Sequence, residues 1–276
     1  MNFAGHLAEI QAKTNSLVCV GLDTDPAKIP PSLRGRDDAI LEFNRRIIEA
    51  TLDLVCAYKL NLAFYEAAGQ AGWSMLRRTL ALIPGSVITI GDAKRGDIGN
   101  TAALYARTLL TDFGFGATTV NPYMGFDSVE PFLRDPARGA FILAVTSNPG
   151  AKDFQYQKVG GHPLYERVIR KVKSWNREGN CGLVVGATRP RELRRIRALV
   201  PSLPILIPGI GAQGGDLKSA VRYGCTRDGL LAVINASRSI LYASAGDDFA
   251  EAARNATTAL RDEINRHRAT CFPPGG

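Results

Sequence analysis

The sequence predicts a TIM barrel, an α/β fold in which eight parallel β-strands alternate with helices. Three observations favour this fold class. Eight short apolar runs recur along the 276 residues, and a helix or a helix-sized segment follows each of them. The runs are continuously apolar, as parallel strands buried on both faces are. Eight such units in roughly 250 residues match the usual size of the barrel. A doubly wound open sheet is the alternative, but it would not favour eight units so evenly spaced.

A short amphipathic helix is predicted before the barrel, because Phe3, Leu7 and Ile10 recur at helical spacing within residues 1–14. The eight predicted strands follow in order at about 16–22, 55–61, a run beginning at Ser86, 117–121, 140–146, 181–187, 203–208 and 229–235. Helices are predicted at 37–53, at 66–83, from the third strand to about 112, at 128–133, from Pro190 onward and at about 247–268. We therefore expect a single (β/α)8-barrel domain over residues 1–276, with a disordered tail at 271–276.

The basic balance of the chain, a net charge of +8, admits two interpretations. One is a nucleic-acid partner, and the other is an anionic small-molecule substrate. Much of the excess is local, and we interpret it as the solvated face of a helix whose other face carries Leu193, Ile196 and Val200. The arginines concerned are Arg189, Arg191, Arg194, Arg195 and Arg197. Because no nucleic-acid-binding motif accompanies the charge, we expect no nucleic-acid partner.

The cysteine and histidine content indicates a reduced protein without a metal site. The five cysteines form no C-x-x-C pair, and three lie within apolar strand-like runs. That pattern is typical of buried thiols and not of a disulfide framework. The three histidines are scattered without metal-ligand spacing. The N-terminus has no basic segment followed by a long apolar one, and no apolar run approaches the ~18 residues that span a bilayer. We expect a cytoplasmic protein without membrane association.

The stretch from 86 to 105 carries the densest group of candidate site residues. It begins as an apolar strand, continues through Asp92, Lys94 and Asp97, and ends in an amphipathic helix. Because side chains alternate along a strand, Asp92 and Lys94 are predicted to share the inner face where the strand ends. Asp97 follows on the turn, near a helix N-terminus that suits a carboxylate. A structural ion-pair network is the alternative, but charges beside two glycines at the end of a buried strand favour a functional site.

Other polar residues stand at the ends of the predicted strands. In a TIM barrel the active site is built at the carboxyl ends of the strands, so these side chains are expected to converge on one rim. They are Asp23, Lys59, Asp92, Lys94, Asn121, Ser147 and Asn235.

A glycine-rich run after the seventh strand, residues 208–215, matches G-x-G-x-x-G. A dinucleotide site is a weak interpretation, because the motif lies near the end of the chain and no acidic residue ends the next strand. A phosphate cradle fits better, because glycine loops after strands seven and eight of such barrels bind phosphate. Arg238, just after the eighth strand, can bind the same phosphate bidentately. The long loop at 147–163 is a candidate lid, whose protection from protease would rise when a tight substrate analogue binds.

These motifs together resemble the orotidine 5′-phosphate decarboxylase family, in the variant typical of many bacteria. The matching segments are V-G-L-D-T-D-P at 20–26, Y-K-L-N at 58–61, D-A-K-R-G-D-I-G-N-T at 92–101, N-P-Y-M-G at 121–125, T-S-N-P-G at 146–150, P-G-I-G-A-Q-G-G at 208–215 and N-A-S-R at 235–238. The resemblance extends over nearly the whole chain. It implies a TIM-barrel homodimer that converts orotidine 5′-phosphate to UMP and CO2, the last step of de novo pyrimidine nucleotide biosynthesis. It also implies that neither a metal nor an organic cofactor is needed.

The resemblance assigns roles to ten residues of this chain. Lys94 is the implied proton donor to C6 of the pyrimidine, Asp92 lies near the departing carboxylate, and Asp97 and Thr101 reach across the dimer interface into the partner's site. The implied substrate-binding residues are Asp23 and Lys59 at the ribose, Ser147 at the pyrimidine, and Gly211, Gln213 and Arg238 at the phosphate.

Rival functions of other kinds stay open at this point. A Mg²⁺-dependent aldolase or decarboxylase of a sugar phosphate shares the D-x-K-x-x-D pattern, but its second strand would end in a metal-binding carboxylate and not in Lys59. A Schiff-base aldolase through Lys94 is disfavoured, because flanking carboxylates keep the amine protonated and non-nucleophilic. Insensitivity to a chelator would separate the metal-dependent rival from a decarboxylase that needs no metal.

Overall fold

The computed structural model describes residues 1–210 and 216–273, and its centre is a closed barrel of eight parallel strands. Each strand pairs with the next one in sequence, and the eighth pairs with the first. The TIM-barrel prediction is therefore confirmed, and the open-sheet alternative is wrong. The strands are Val18–Gly21 (β1), Ala57–Asn61 (β2), Ile88–Arg95 (β3), Ala117–Val120 (β4), Gly139–Val145 (β5), Cys181–Val185 (β6), Ile205–Pro208 (β7) and Ala232–Ala236 (β8).

Helices connect the strands and cover the outside of the barrel. They are Phe3–Thr14 (α1), Ala39–Thr51 (α2), Leu62–Glu66 (α3), Gly69–Ala81 (α4), Gly99–Ala106 (α5), Phe126–Val129 (α6), Ala151–Phe154 (α7), Leu164–Trp175 (α8), Pro190–Leu199 (α9), Leu217–Gly224 (α10), Arg238–Leu241 (α11) and Phe249–Cys271 (α12). Shorter 3₁₀ segments lie at Pro31–Leu33, Leu52–Leu54 and Glu130–Leu133, and a π-helical segment, Arg107–Asp112, extends α5.

Two predicted helix boundaries differ from the structure. The helix expected at 66–83 is α4, which begins only at Gly69, where the backbone is left-handed with φ of 58°. Glu66 is instead the last residue of the preceding short helix, α3. The closing helix continues to Cys271, and Phe272 packs against the hydrophobic core. The tail expected to be disordered from 271 therefore begins with a helical residue, and residues 274–276 lie outside the described chain.

The barrel interior is an apolar layer to which every strand contributes one or more side chains. Its strand residues are Cys19, Ala57, Ile88, Ile90, Ala117, Phe141, Val184, Leu206 and Val233. Helix α1 closes the amino-terminal end of the barrel with Phe3, Leu7 and Ile10, as its amphipathic pattern predicts. The ring of Phe3 meets that of Phe141 edge to face, with centroids 5.7 Å apart.

The arginine-rich helix α9 is only partly the solvated face that we expected. Arg194 is exposed, but Arg197 turns inward and donates hydrogen bonds to the carbonyl oxygens of Val200, Leu203 and Gly224. Burial lowers the pKa of this guanidinium to about 10. The solvated interpretation is therefore wrong for Arg197, because carbonyl groups of neighbouring segments lie beside it in the folded chain.

The candidate lid segment, 147–163, has structure of its own. It contains α7 and a two-stranded hairpin in which Lys158–Val159 pairs with His162–Pro163. The side chain of Gln155 closes the loop on its start, since it accepts a hydrogen bond from the Thr146 amide and donates one to the Thr146 hydroxyl. Closure of this segment over a substrate stays a prediction.

Candidate active site

A cavity of about 480 Å³ opens at the carboxyl ends of the strands, directly above the apolar interior layer. Its floor is explained by strand periodicity. Residues two positions beyond interior residues face inward again, and here they are polar: Lys59 follows Ala57, Asp92 follows Ile90, and Asn235 follows Val233. The strand-end convergence predicted from the sequence therefore takes place for these residues, and Asp23, Lys94 and Arg238 line the same cavity.

Lys59 is the centre of a buried charge network. Its side chain is only 4% exposed, and its ammonium lies 3.0 Å from Oδ2 of Asp92 and 3.4 Å from Oδ1 of Asp23. Burial alone lowers the pKa of this lysine, but the two carboxylates outweigh burial and hold the pKa above its ordinary value. Lys59 is therefore a permanent cation between two anions.

Asp92 joins this network to Lys94. Its Oδ1 lies 2.5 Å from Nζ of Lys94, so the carboxylate faces two ammonium groups. Burial raises the pKa of Asp92, but Lys59 and then Lys94 outweigh burial and lower the pKa to about 2. Asp92 is ionised throughout the physiological range. The side chain of Lys94 is 48% exposed and lines the cavity.

The backbone of Lys94 is not regular strand. The pairing of β3 with β4 shifts register between Gly91 and Arg95, and Lys94 adopts a left-handed conformation with φ of 48°. Such a conformation is unfavourable for a side chain with a Cβ atom, and residues of this kind gather at functional sites. The Lys94 amide donates a 2.9 Å hydrogen bond to the hydroxyl of Thr119, which in turn donates a 2.9 Å hydrogen bond to Oδ1 of Asp92.

Asp23 is held in place by three hydrogen-bond donors. Its carboxylate accepts from the Lys59 ammonium, the Asn61 amide and the Ser237 hydroxyl. The contact with Ser237 requires glycine at position 21, because a Cβ there would lie 1.9 Å from the serine oxygen. A rigid carboxylate beside a buried ammonium suits recognition of hydroxyl groups.

Two residues predicted at the rim, Asn121 and Ser147, do not line this cavity among the residues that the structure describes. Asp97 and Thr101, which the resemblance assigns to the partner's site, do not line it either. Asp97 accepts a hydrogen bond from the Ile98 amide, Thr101 lies on α5, and Asn121 accepts a bond from the Tyr123 amide. Ser147 follows β5 and packs against Gly186. A Cβ atom on Gly186 would lie 3.0 Å from the backbone nitrogen of Ser147. Gly211 and Gln213, expected at the phosphate, lie outside the described residues.

Two residues that hold the site were missed by sequence reasoning. Thr119 stands two positions after the interior residue Ala117, so the alternation used for β3 would also have placed it inward. Ser237 directly precedes Arg238. The positions of both residues were available in the sequence, but a neutral hydroxyl in a short strand or turn gives no chemical signal.

Metal-ligating clusters and membrane-spanning helices are both absent from the described chain. Residues 1–210 and 216–273 contain no group of three or more His, Cys, Asp or Glu side chains arranged to hold a metal ion. Over those same ranges, every helix is too short or too polar to cross a bilayer.

Comparisons with known proteins agree with this geometry. The sequence profile described as "Orotidine 5′-phosphate decarboxylase / HUMPS family" matches residues 16–255. An orotidine 5′-phosphate decarboxylase of Dehalococcoides mccartyi is 51% identical over 272 residues, which cover 97% of this chain and 99% of that protein. The structure of Leishmania donovani OMP decarboxylase is 40% identical with a TM-score of 0.85, over 97% of this chain and 99% of that one. The structure of Leishmania donovani UMP synthase is 41% identical with a TM-score of 0.88 over 97% of this chain, which spans 57% of that longer chain.

Proposed function

The chain belongs to the orotidine 5′-phosphate decarboxylase family, and we propose that it converts orotidine 5′-phosphate to UMP and CO2 in pyrimidine biosynthesis. The observation that carries the proposal is the charge array in the cavity, in which Asp92 lies between the ammonium groups of Lys59 and Lys94. The array places a partly exposed, fixed cation where a substrate can reach it. It also keeps a carboxylate ionised beside that cation.

The chemistry needs a cation of this kind. When the bond between C6 and the carboxylate breaks, its electron pair stays on C6 and CO2 departs. The Lys94 ammonium stabilises the developing negative charge and then donates a proton to C6, which gives UMP; solvent restores the lysine proton. Because the carbanion has little delocalisation, a prepositioned ammonium is more effective than water, which must reorganise.

The remaining cavity residues suit the rest of the substrate. We assign Asp92 to the departing carboxylate, where repulsion between two anions raises the ground-state energy. Lys59 and Asp23 offer a donor and an acceptor to the ribose hydroxyls. Arg238 is exposed at the cavity rim, after β8, and suits the phosphate. We assign phosphate contacts to Gly211 and Gln213 on the resemblance alone.

We also propose that the protein acts as a cytoplasmic homodimer. Exposed apolar side chains lie on the segment that carries Asp97 and Thr101 and on the loop and helix that follow β4, and grouped exposed apolar residues are typical of an interface. They are Ile98, Leu104, Tyr105, Tyr123, Met124 and Phe126. A partner covering these side chains would bring Asp97 and Thr101 to the other subunit's cavity. The five free thiols, four of them buried, favour a reducing compartment.

The shared site can be tested with two inactive variants. Lys94→Ala and Asp97→Ala are each expected to be inactive alone. If Asp97 acts across the interface, mixed dimers contain one intact site, and an equal mixture after subunit exchange should recover about one quarter of wild-type activity. No recovery, with exchange shown by a tagged subunit, would place Asp97 in its own subunit's site.

The reaction itself is tested by incubating the purified protein with orotidine 5′-phosphate and EDTA. The expected results are loss of substrate absorbance and formation of UMP and CO2 in equal amounts. No turnover with EDTA, followed by turnover of a sugar phosphate when Mg²⁺ is restored, would contradict the proposal. That result would instead favour the Mg²⁺-dependent rival on the same scaffold.

A further inference from the structure

Thr119 occupies a position in the site that the reaction itself does not require. It lies on β4, is 1% exposed, and lines the cavity beside Lys94. We propose that Thr119 is a positioning residue for the decarboxylation, which fixes the Lys94 ammonium relative to Asp92 through its hydroxyl group. This inference rests on the proposed function and deepens it.

The hydroxyl closes a hydrogen-bonded ring that contains both reacting charges. Its oxygen accepts from the Lys94 amide at 2.9 Å, and its proton is donated to Oδ1 of Asp92 at 2.9 Å. The Lys94 ammonium meets the same Oδ1 at 2.5 Å. The backbone and the ammonium of Lys94 are therefore both tied to one carboxylate oxygen, and Thr119 supplies the backbone half of that tie.

The bulge in β3 explains why a side chain is needed at this point. Gly91 pairs with Thr118 and Arg95 with Val120, so three residues of β3 stand opposite Thr119 alone. The Lys94 amide, in its left-handed conformation, bonds to the Thr119 side chain instead of to a backbone carbonyl. The Thr119 hydroxyl therefore holds the strained backbone of Lys94 at the point where the regular pairing of β3 with β4 is interrupted.

Thr118 provides a matched control on the same strand. Its hydroxyl is equally buried and donates a 2.8 Å hydrogen bond to the carbonyl oxygen of Gly91. Replacement by valine at either position removes one buried hydroxyl of the same size from β4. Only the change at 119 removes the contacts to Lys94 and Asp92.

The experiment compares Thr119→Val, Thr119→Ser and Thr118→Val by kcat and KM for orotidine 5′-phosphate, after urea unfolding has shown that each is folded. We expect Thr119→Val to lower kcat about 10- to 100-fold with KM nearly unchanged, because misplacement of a reacting group acts on the transition state. Thr119→Ser keeps the hydroxyl and should stay within about threefold of wild type. Thr118→Val should lose stability but keep its kcat.

Each outcome decides the inference. Equal kcat values for Thr119→Val and wild type would overturn it, as would a Thr119→Ser variant as slow as Thr119→Val. Equal losses at 118 and 119 would show a structural role only. If Thr119→Val does not fold, Thr119→Cys takes its place, because a thiol is only a weak hydrogen-bond donor and acceptor. The fall in kcat expected for Thr119→Val is then expected for Thr119→Cys. An active wild type with unaffected Thr119 variants overturns this role alone, whereas an inactive wild type overturns the proposed function and this role with it.

Discussion

Both ends of the barrel contain a left-handed residue whose backbone N–H bonds to a side chain of another element, but the surroundings of the two residues differ. Apart from Asn15, which ends α1 in a left-handed conformation, the described non-glycine residues with positive φ are Leu231, just before β8, with φ of 61°, and Lys94, at the end of β3, with φ of 48°. In both cases a side chain from another element accepts the backbone N–H: Gln11 of α1 accepts from Leu231 at 2.8 Å, and Thr119 accepts from Lys94 at 2.9 Å.

The two ends differ in the group to which each accepting side chain donates in turn. The amide group of Gln11 is fully buried and donates to the carbonyl oxygen of Ala232, so the closed end is neutral and satisfied. The hydroxyl of Thr119 donates to Asp92, which faces two ammonium groups. We expect the strain that a neutral amide compensates to serve the stability of the barrel, and the strain that the ionised network compensates to position Lys94 for the proposed reaction. Of these two left-handed residues, only Lys94 has a hydrogen-bond partner that is itself bonded to the ionised network.

The largest expected stability change comes from the charged end. Lys59→Met leaves Asp23 and Asp92 without their buried cation, and breaking one partner of a buried pair costs about 3–5 kcal/mol. Urea unfolding at pH 7 measures the loss, with the exposed Lys218→Met as the control. A loss below about 1 kcal/mol would show that the network does not stabilise the fold.

A substitution at the neutral end should lower the free energy of unfolding somewhat less, and it should leave the reaction unchanged. Gln11→Leu leaves the Leu231 amide and the Ala232 carbonyl without their hydrogen-bond partner. Each of these groups costs about 1–3 kcal/mol when it is buried unpaired. We expect the free energy of unfolding to fall by about 2–4 kcal/mol with kcat and KM unchanged. The exposed Gln70→Leu is the control. A change in kcat at full folding would remove the distinction between the two ends.

Acid should weaken the charged end specifically. The pKa of Asp92 is lowered to about 2, so its contribution to stability is complete above the unfolded value of ~3.9 and is lost as pH falls through about 2. Between pH 4 and pH 2 wild type should therefore lose roughly 2 kcal/mol more than Asp92→Asn does. Unfolding free energies across this range measure the difference, and the exposed Asp37→Asn should follow wild type. Parallel curves for wild type and Asp92→Asn would contradict the ionised network.

A smaller effect is expected at Gly21. In Gly21→Ala the new Cβ displaces the Ser237 hydroxyl, so Asp23 loses one of its donors. We expect KM for orotidine 5′-phosphate to rise about five- to tenfold, equivalent to roughly 1 kcal/mol of binding. Gly85→Ala, whose Cβ would meet nothing within 4 Å, is the matched control. A KM equal to that of the control would mean that Ser237 does not orient Asp23.

The sequence predicts the barrel and much of its site because both depend on periodicity. Eight apolar runs predict the strands, and the two-residue repeat places Lys59 and Asp92 above the interior layer, where they lie in the folded chain. Convergence of Asp23 and Arg238 is expected because the carboxyl ends of barrel strands share one rim.

The features that the sequence does not predict depend on contacts between distant segments. Regular alternation along β3 predicts that Lys94 faces the cavity, and it does. The backbone at Lys94 is not regular strand, however, because the pairing of β3 with β4 shifts register there and Lys94 is left-handed. Arg197 has the same local pattern as its exposed neighbours, and only the folded chain brings three carbonyl groups to it. Neutral partners such as Gln11 and Thr119 give no sign of their role until both ends of each hydrogen bond are known.

One measurement tests the central claim, that a Lys94 ammonium held on Asp92 performs the reaction without a metal. The rate of loss of orotidine 5′-phosphate absorbance is measured in EDTA for wild type and Lys94→Ala at equal concentrations, with unfolding curves for both. The account predicts rapid turnover by wild type and a rate lower by at least about 10³-fold in the variant, both folded. Comparable turnover by the two proteins would contradict the account.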